Sequence, residues 1–339
     1  MKVLFIGGTG LISSACTELA IERGIELFLL NRGKSTKYEM PRGARLIQAD
    51  IAGDPAALSS ALAGHNFDVV VNWIAFRPAD IERDIRLFTG RTKQYIFISS
   101  ASCYQKPSSF YRITEDTPLA NPYWTYSQEK IAAEERGLRE YRDNQFPFTI
   151  VRPSLTYGPR HIPFAVGSWA HTYTVIDRMR RGQKVIVPGD GSSLWTLTWN
   201  GDFAKAFCGL MGREEAIGHA FHITSDEVLT WNQLYTLAAH AAGVEAKLLH
   251  AASDMIIAHM PEMKGSLIGD KAVSVVFDNS KIKRFVPGFK AMVPWSEGVR
   301  RALSWFDADP ARRTIDHEAN AKWDAFIAAY ERALPAQAG

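Results

Sequence analysis

In Tyr126-Ser127-Gln128-Glu129-Lys130 a phenol and an ammonium stand four residues apart. On a helix that spacing sets both side chains on one face, one turn apart. The pair suits proton transfer from an alcohol. A tyrosine of ordinary pKa must shift by roughly three units, on the order of 4 kcal/mol, to act as a base near neutrality, and an adjacent cation favours its phenolate. Ser100, closing the run Phe97-Ile98-Ser99-Ser100, offers a hydroxyl to orient a substrate oxygen. Far upstream, Gly7, Gly10 and Ser13 fall on the three positions of a GxxGxxG loop that follows an apolar run and opens a helix. Gly7 permits a tight turn, Gly10 lets bare backbone approach a pyrophosphate at the positive helix end, and Ser13 is small enough for the third, packed position. Alcohol chemistry with a bound dinucleotide is the expectation from these two clusters.

Bringing residue 7 to residue 126 takes a layered scaffold. Short apolar runs at 3–6, 27–30, 46–48, 69–72, 96–99 and 148–151 alternate with amphipathic stretches at about 11–23, 55–63, 80–88 and 125–141. Strand-helix alternation predicts an α/β fold with a doubly wound parallel Rossmann sheet and right-handed crossovers. Residues 1–157 are expected to form this dinucleotide-binding domain. Residues 158–330, broken by Pro163, Pro188, Gly189, Gly191 and Pro287, are expected to form a smaller, mainly substrate-binding region. An amphipathic helix near 200–211 is expected to return to the Rossmann layer and interleave the two. The tail 335–339 is expected to fray.

The second strand ends Leu30-Asn31-Arg32-Gly33-Lys34, where NAD-binding sheets commonly carry an acid for the adenosine ribose. Asn31 does not repel a phosphate, and Arg32 with Lys34 can pair with a 2′-phosphate, so the cofactor expectation is NADP or NAD with a lean to NADP. Two solvated loop cations are the plain alternative. Asp50, after the third strand, is placed either to meet an adenine amino group or to cap the helix before Pro55. Cys16, Cys103 and Cys208 lack disulfide or zinc spacing, and no metal is expected. A formal net charge of +3 over 339 residues, without a basic stripe, weighs against nucleic acid as a partner. Apolar runs well short of the ~20 residues of a membrane span, and an N-terminus without signal-peptide features, lead to a cytoplasmic expectation.

Gly7-Gly8-Thr9-Gly10-Leu11-Ile12, Ser99-Ser100-Ala101-Ser102-Cys103-Tyr104, Tyr126 with Lys130, Arg152-Pro153 before Tyr157-Gly158-Pro159, and Gly189-Asp190-Gly191 together resemble the extended short-chain dehydrogenase/reductase family of NAD-dependent epimerases and dehydratases. Nearly the whole chain is covered. The resemblance implies a catalytic set of Ser100, Tyr126 and Lys130. It implies cofactor contacts from Gly7, Thr9, Gly10, Leu11, Ile12, Asn31, Arg32, Asp50, Ile51, Ile74, Ala75, Pro153, Ser154 and Leu155, and substrate contacts from Ser102 and Trp195. A homodimer is expected by resemblance alone.

Three departures bear on substrate. Leu155 stands where nucleotide-sugar enzymes of the family carry an asparagine, Trp195 where they carry a diphosphate-binding arginine, and Ala101-Ser102 where dehydratases carry an Asp-Glu pair. Reversible oxidation of a secondary alcohol on a carbohydrate-like small molecule is therefore the expected chemistry, netting epimerisation or dehydrogenation. A ketoreductase of a non-sugar metabolite and a non-catalytic RNA-associated binding protein are the alternatives. Trp195, Trp199, Trp169, Phe164 and Tyr173 read either as an aromatic wall for substrate or as core. His161 and His171 read as structural, and Asp278-Asn279-Ser280-Lys281 as a motif near the substrate or a turn entering a helix.

Overall fold

The computed structural model describes residues 1–34 and 38–334, so the tail expected to fray lies outside the described residues. Strands β1 (Lys2–Ile6), β2 (Glu26–Asn31), β3 (Arg45–Gln48), β4 (Phe67–Asn72) and β5 (Thr92–Ile98) are joined in part through helices α1 (Ser13–Glu22), α2 (Pro55–Ala61) and α3 (Pro78–Phe88), and α4 (Thr125–Asn144) follows β5. With two later strands they form a seven-stranded sheet in the order Ala220–Ile223, Phe148–Pro153, β5, β4, β1, β2, β3. Every pairing in it is parallel. The predicted α/β class and doubly wound parallel sheet are what the chain adopts.

Both faces of the sheet are covered, which is why its strands are apolar throughout instead of alternating. In β1, Val3 and Phe5 pack with Cys16 and Ala20 of α1 and with Phe203 and Phe207 of the helix Asn200–Leu210. Leu4 and Ile6 point the other way, among Leu58 of α2, Ile81 of α3 and Ala133 of α4. Helix α2 starts where the Asp54 carboxylate accepts the Ala56 and Ala57 amides and Pro55 takes the first turn. That cap is Asp54; Asp50 instead closes its own turn by accepting the Ala52 amide at 3.0 Å. Helix α4 lies hard against Phe148–Pro153, since a Cβ on Gly137 would stand 2.1 Å from the Phe148 ring. This close seat sets the level of Tyr126 and Lys130 over the sheet.

Beyond residue 158 a second core gathers Trp195, Trp231 and Trp295 with the helices Trp231–Ala241, Trp295–Asp307 and His317–Ala333. Its irregular sequence hides a parallel strand pair, Lys184–Pro188 with Lys247–Ala251. The helix Asn200–Leu210 packs on α1, where the Cys208 thiol donates to the Cys16 carbonyl. Ala220–Ile223 then extends the sheet edge as a seventh strand that the alternation pattern did not disclose. It is only four residues long, and its His222 is wholly buried, held by the Tyr104 hydroxyl and the Asp278 carbonyl. Among the described residues no helix is long and apolar enough to cross a membrane.

Candidate active site

A cavity of about 570 Å³ opens where the C-terminal ends of β1, β4, β5 and Phe148–Pro153 face the helical segment 264–271. Crevices at this edge of a parallel sheet are where α/β proteins hold ligands. Gly7, Thr9, Gly10, Leu11, Ile12, Ile74, Pro153, Ser154 and Leu155 line it, together with Ser100, Ser102, Tyr126 and Lys130.

The glycine loop forms one end. Gly7 and Gly8 hold φ of +96° and +93°, and a Cβ on Gly8 would stand 2.7 Å from Leu29, so the turn hugs β2 with bare backbone. Thr17 fastens it by donating to the Gly8 carbonyl at 2.8 Å. Ser13, in the third position, accepts the Gly10 amide on its hydroxyl at 2.8 Å, so the departure from glycine adds a bond within the loop. Ile12 gives α1 no side-chain cap, which leaves the positive helix end to a ligand. Asn200 donates to the Leu11 carbonyl at 2.9 Å, so the returning helix holds the loop from behind. These features fit a dinucleotide diphosphate.

At the other end, β5 delivers Ser100 and α4 delivers Tyr126 and Lys130. Ser100 stands beside the Tyr126 phenol. Its Oγ also lies 2.8 Å from Ser102 Oγ, which accepts from the Ser127 hydroxyl at 2.8 Å. Lys130 is buried, its ammonium donating to the carbonyls of Ala75 at 2.6 Å and Ile98 at 2.7 Å. It lies over the rings of Phe76 and Phe97, with the Tyr126 ring centroid 5.9 Å away. Burial brings Lys130 down to about 8. Burial also pushes the Tyr126 phenol up to about 12, against the Ser100 hydroxyl that lowers it. In the protein alone burial outweighs any lowering of the Tyr126 phenol, and the Lys130 ammonium is turned toward two carbonyls.

Several expected residues stand apart from the cavity. Asn31, Arg32, Asp50 and Ile51 sit at or beyond the ends of β2 and β3, outside the cavity wall. Asn31 Oδ1 accepts the Gly33 amide at 2.8 Å and shapes that turn, while Arg32 and Lys34 are exposed. Ile51 is buried in the core. Ala75 is also buried and contributes its carbonyl to Lys130. Trp195 corrects the expectation of a substrate contact: it is 2% exposed, stacked on Trp231 and absent from the cavity wall. Trp199, Phe164 and Tyr173 are core as well, and of the proposed aromatic wall Trp169 alone lines the cavity. Asp278 accepts the Ser280 amide and begins the helix Ser280–Phe285, which is the plain turn.

Other residues were missed. Phe76, Trp73 and Trp124 line the cavity, as do Lys106, Asp270 and Lys271. Asn121, fully enclosed, donates one amide to the carbonyls of both Ser102 and Gly269 at 2.7 Å, tying the loop after β5 to the 264–271 segment. Nothing in the local spacing of these residues signals their meeting. Arg152, quoted only as part of a motif, forms a buried two-pronged ion pair with Glu134 and lies over the Tyr104 ring.

Sequence and structure comparisons place the chain in a known family and fold. A family model described as the NAD dependent epimerase/dehydratase family matches residues 3–224. The chloroplast stem-loop binding protein of 41 kDa b of Arabidopsis thaliana is 27% identical over 261 residues, 74% of this chain and 65% of that protein. A UDP-glucose 4-epimerase of Lactobacillus helveticus is 29% identical over 153 residues, 40% of this chain and 46% of that one. The chain thus spans less than two thirds of the length of either. The UDP-glucose 4-epimerase of Thermotoga maritima, solved with UDP-glucose, superposes with a TM-score of 0.73 at 20% identity, covering 91% of this chain and 99% of that one.

Proposed function

The chain belongs to the NAD dependent epimerase/dehydratase family, of the extended short-chain dehydrogenase type, and from that premise we propose that it oxidises a secondary alcohol of a carbohydrate-like small molecule reversibly, as an epimerase or dehydrogenase. One observation carries the reading: Ser100, Tyr126 and Lys130 share a single cavity with an uncapped helix end and a bare glycine loop. A bound nicotinamide dinucleotide would supply the hydride acceptor and a positive ring charge beside the phenol.

Ser100 and Tyr126, side by side on the cavity wall, orient the substrate hydroxyl. Tyr126 Oη, as the phenolate, takes the hydroxyl proton, and until that transfer the Ser100 hydroxyl donates to the phenolate. The protein holds Lys130 as an ammonium-bearing group in an apolar seat, so small changes of surroundings move its proton, and its charge steadies the phenolate. Trp73, Phe76 and Trp124 give the wall beside the reacting oxygen an apolar character. The dinucleotide we favour is NADP, on the exposed Arg32 and Lys34 and the absence of an acid in the turn Asn31–Lys34.

Heat-denaturing the purified protein and identifying released nucleotide, then titrating NAD⁺ and NADP⁺, tests the cofactor. Stoichiometric NAD⁺ removes the NADP preference and points to an epimerase that recycles its cofactor. Tyr126→Phe should cut turnover by about 10²–10⁴-fold and leave dinucleotide affinity within about twofold. Undiminished turnover would remove Tyr126 as the base.

A further inference from the structure

The part of the cavity away from the glycine loop holds an unusual charge arrangement. Lys106 and Lys271 are 5% and 3% exposed, and both line the cavity. They share one carboxylate: Asp270 Oδ1 is 3.5 Å from Lys106 Nζ and Oδ2 is 3.5 Å from Lys271 Nζ. Both separations exceed the ~2.7–2.9 Å of a charge-assisted hydrogen bond. Each ammonium has three donors, and Asp270 is the one side-chain acceptor recorded for either among the described residues. Lys106 Nζ lies over the Trp195 ring, and Lys271 Nζ lies between Trp124 and Trp169, at 6.0 and 5.9 Å from their centroids.

Aromatic faces soften such burial but do not replace a counter-charge. Among the described residues of the wall, Asp270 is the single acid, against Lys106, Lys130 and Lys271. Lys130 is engaged by its two carbonyls, which leaves one unit of positive charge unmatched at the Lys106–Asp270–Lys271 cluster. Lys106 registers the deficit: burial and Lys271 push its ammonium below the lysine range, with Asp270 opposing.

We infer that the substrate carries a carboxylate, seated between Lys106 and Lys271, and that the alcohol presented to Tyr126 belongs to a small hydroxy or polyhydroxy acid. One excess charge at the Lys106–Asp270–Lys271 cluster matches a monoanion, whereas a dianionic phosphate would leave that cluster negative. Asp270 and Lys271 lie on the segment that Asn121 ties to Ser102, and Lys106 follows Ser102 by four residues, so an anion held there fixes its own molecule relative to the Ser100–Tyr126 pair. Asp270 keeps the two ammoniums together when no ligand is bound, and the incoming carboxylate adds the missing acceptors. This inference rests on the alcohol-oxidation reading for its reaction, though not for its binding site.

The test uses glycolate, a minimal hydroxy carboxylate, against ethylene glycol, its neutral counterpart, titrated by ligand-observed NMR into the full chain saturated with dinucleotide. Glycolate should bind at least ~10-fold more tightly, and Lys106→Met or Lys271→Met should each reduce that preference by about tenfold. Asp270→Asn, which keeps both cations and removes their competitor, should tighten glycolate. Equal binding of the two probes to the wild-type protein overturns the inference whatever the variants do, as does weaker glycolate binding in Asp270→Asn. Inorganic phosphate displacing glycolate at lower concentration overturns the carboxylate in favour of a phosphate. Dinucleotide binding is measured in the same samples. Normal dinucleotide binding without a glycolate preference sinks this inference alone, while a Lys-dependent glycolate preference without dinucleotide binding sinks the alcohol-oxidation reading and leaves the carboxylate seat.

Discussion

Raising the pH should stabilise the dinucleotide-free protein through Lys130, by an amount that can be worked out. Burial lowers this lysine from 10.5 to about 8. A base whose folded pKa lies below its unfolded one binds fewer protons when folded. Its contribution is therefore complete above 10.5, is lost as the pH falls toward 8, and stays lost below. The full swing is about 3.4 kcal/mol, and integration between pH 7 and pH 10 recovers about 2.5 kcal/mol of it. Tyr126 and Cys103, raised from 10.0 and 9.0 to about 12, act in the opposite direction as the pH rises past 9, so the Lys130 effect is read only against a variant that shares them. Lys130→Met keeps the length of the side chain and removes the titration. Urea unfolding of both proteins at several pH values gives the difference in unfolding free energy, in which shared titrations cancel. Wild type should gain about 2.5 kcal/mol on the variant across the range. A difference flat to within about 0.5 kcal/mol would mean that Lys130 is hydrated or paired in the folded state, and the argument from its apolar seat would fall.

Glu134→Gln should destabilise the protein by about 3–5 kcal/mol, because it strands Arg152 as an unpaired buried cation; a denaturant midpoint near wild type would show that water reaches the pair. Asn200→Ala removes the Leu11 bond across the two halves of the chain. It should cost about 1 kcal/mol of stability and weaken dinucleotide binding severalfold, and calorimetry that finds affinity unchanged would show that the glycine loop needs no support from behind.

The legible parts of the site were those written in local spacing. Gly7, Gly10 and Ser13 sit in one turn, and Tyr126 and Lys130 in one helix, so period and residue type were enough. Even there the burial that raises the Tyr126 phenol is not visible in the spacing. Ala220–Ile223 escaped because a four-residue strand enters the sheet only through long-range pairing with Phe148–Pro153. Lys106 and Lys271 are 165 positions apart in the chain, and their meeting at Asp270 follows from tertiary packing that no motif encodes. Trp195 was judged by what a related chain would place there, while its actual surroundings, the face of Trp231, were invisible.

The amide of Asn121 has one further consequence. Its single nitrogen serves the Ser102 carbonyl and the Gly269 carbonyl together. The 267–271 turn therefore cannot be displaced for traffic through the cavity mouth without either breaking one of those bonds or dragging the neighbouring hydroxyls along. The Asn121 nitrogen thereby couples the position of the 267–271 segment to that of the loop carrying Ser102.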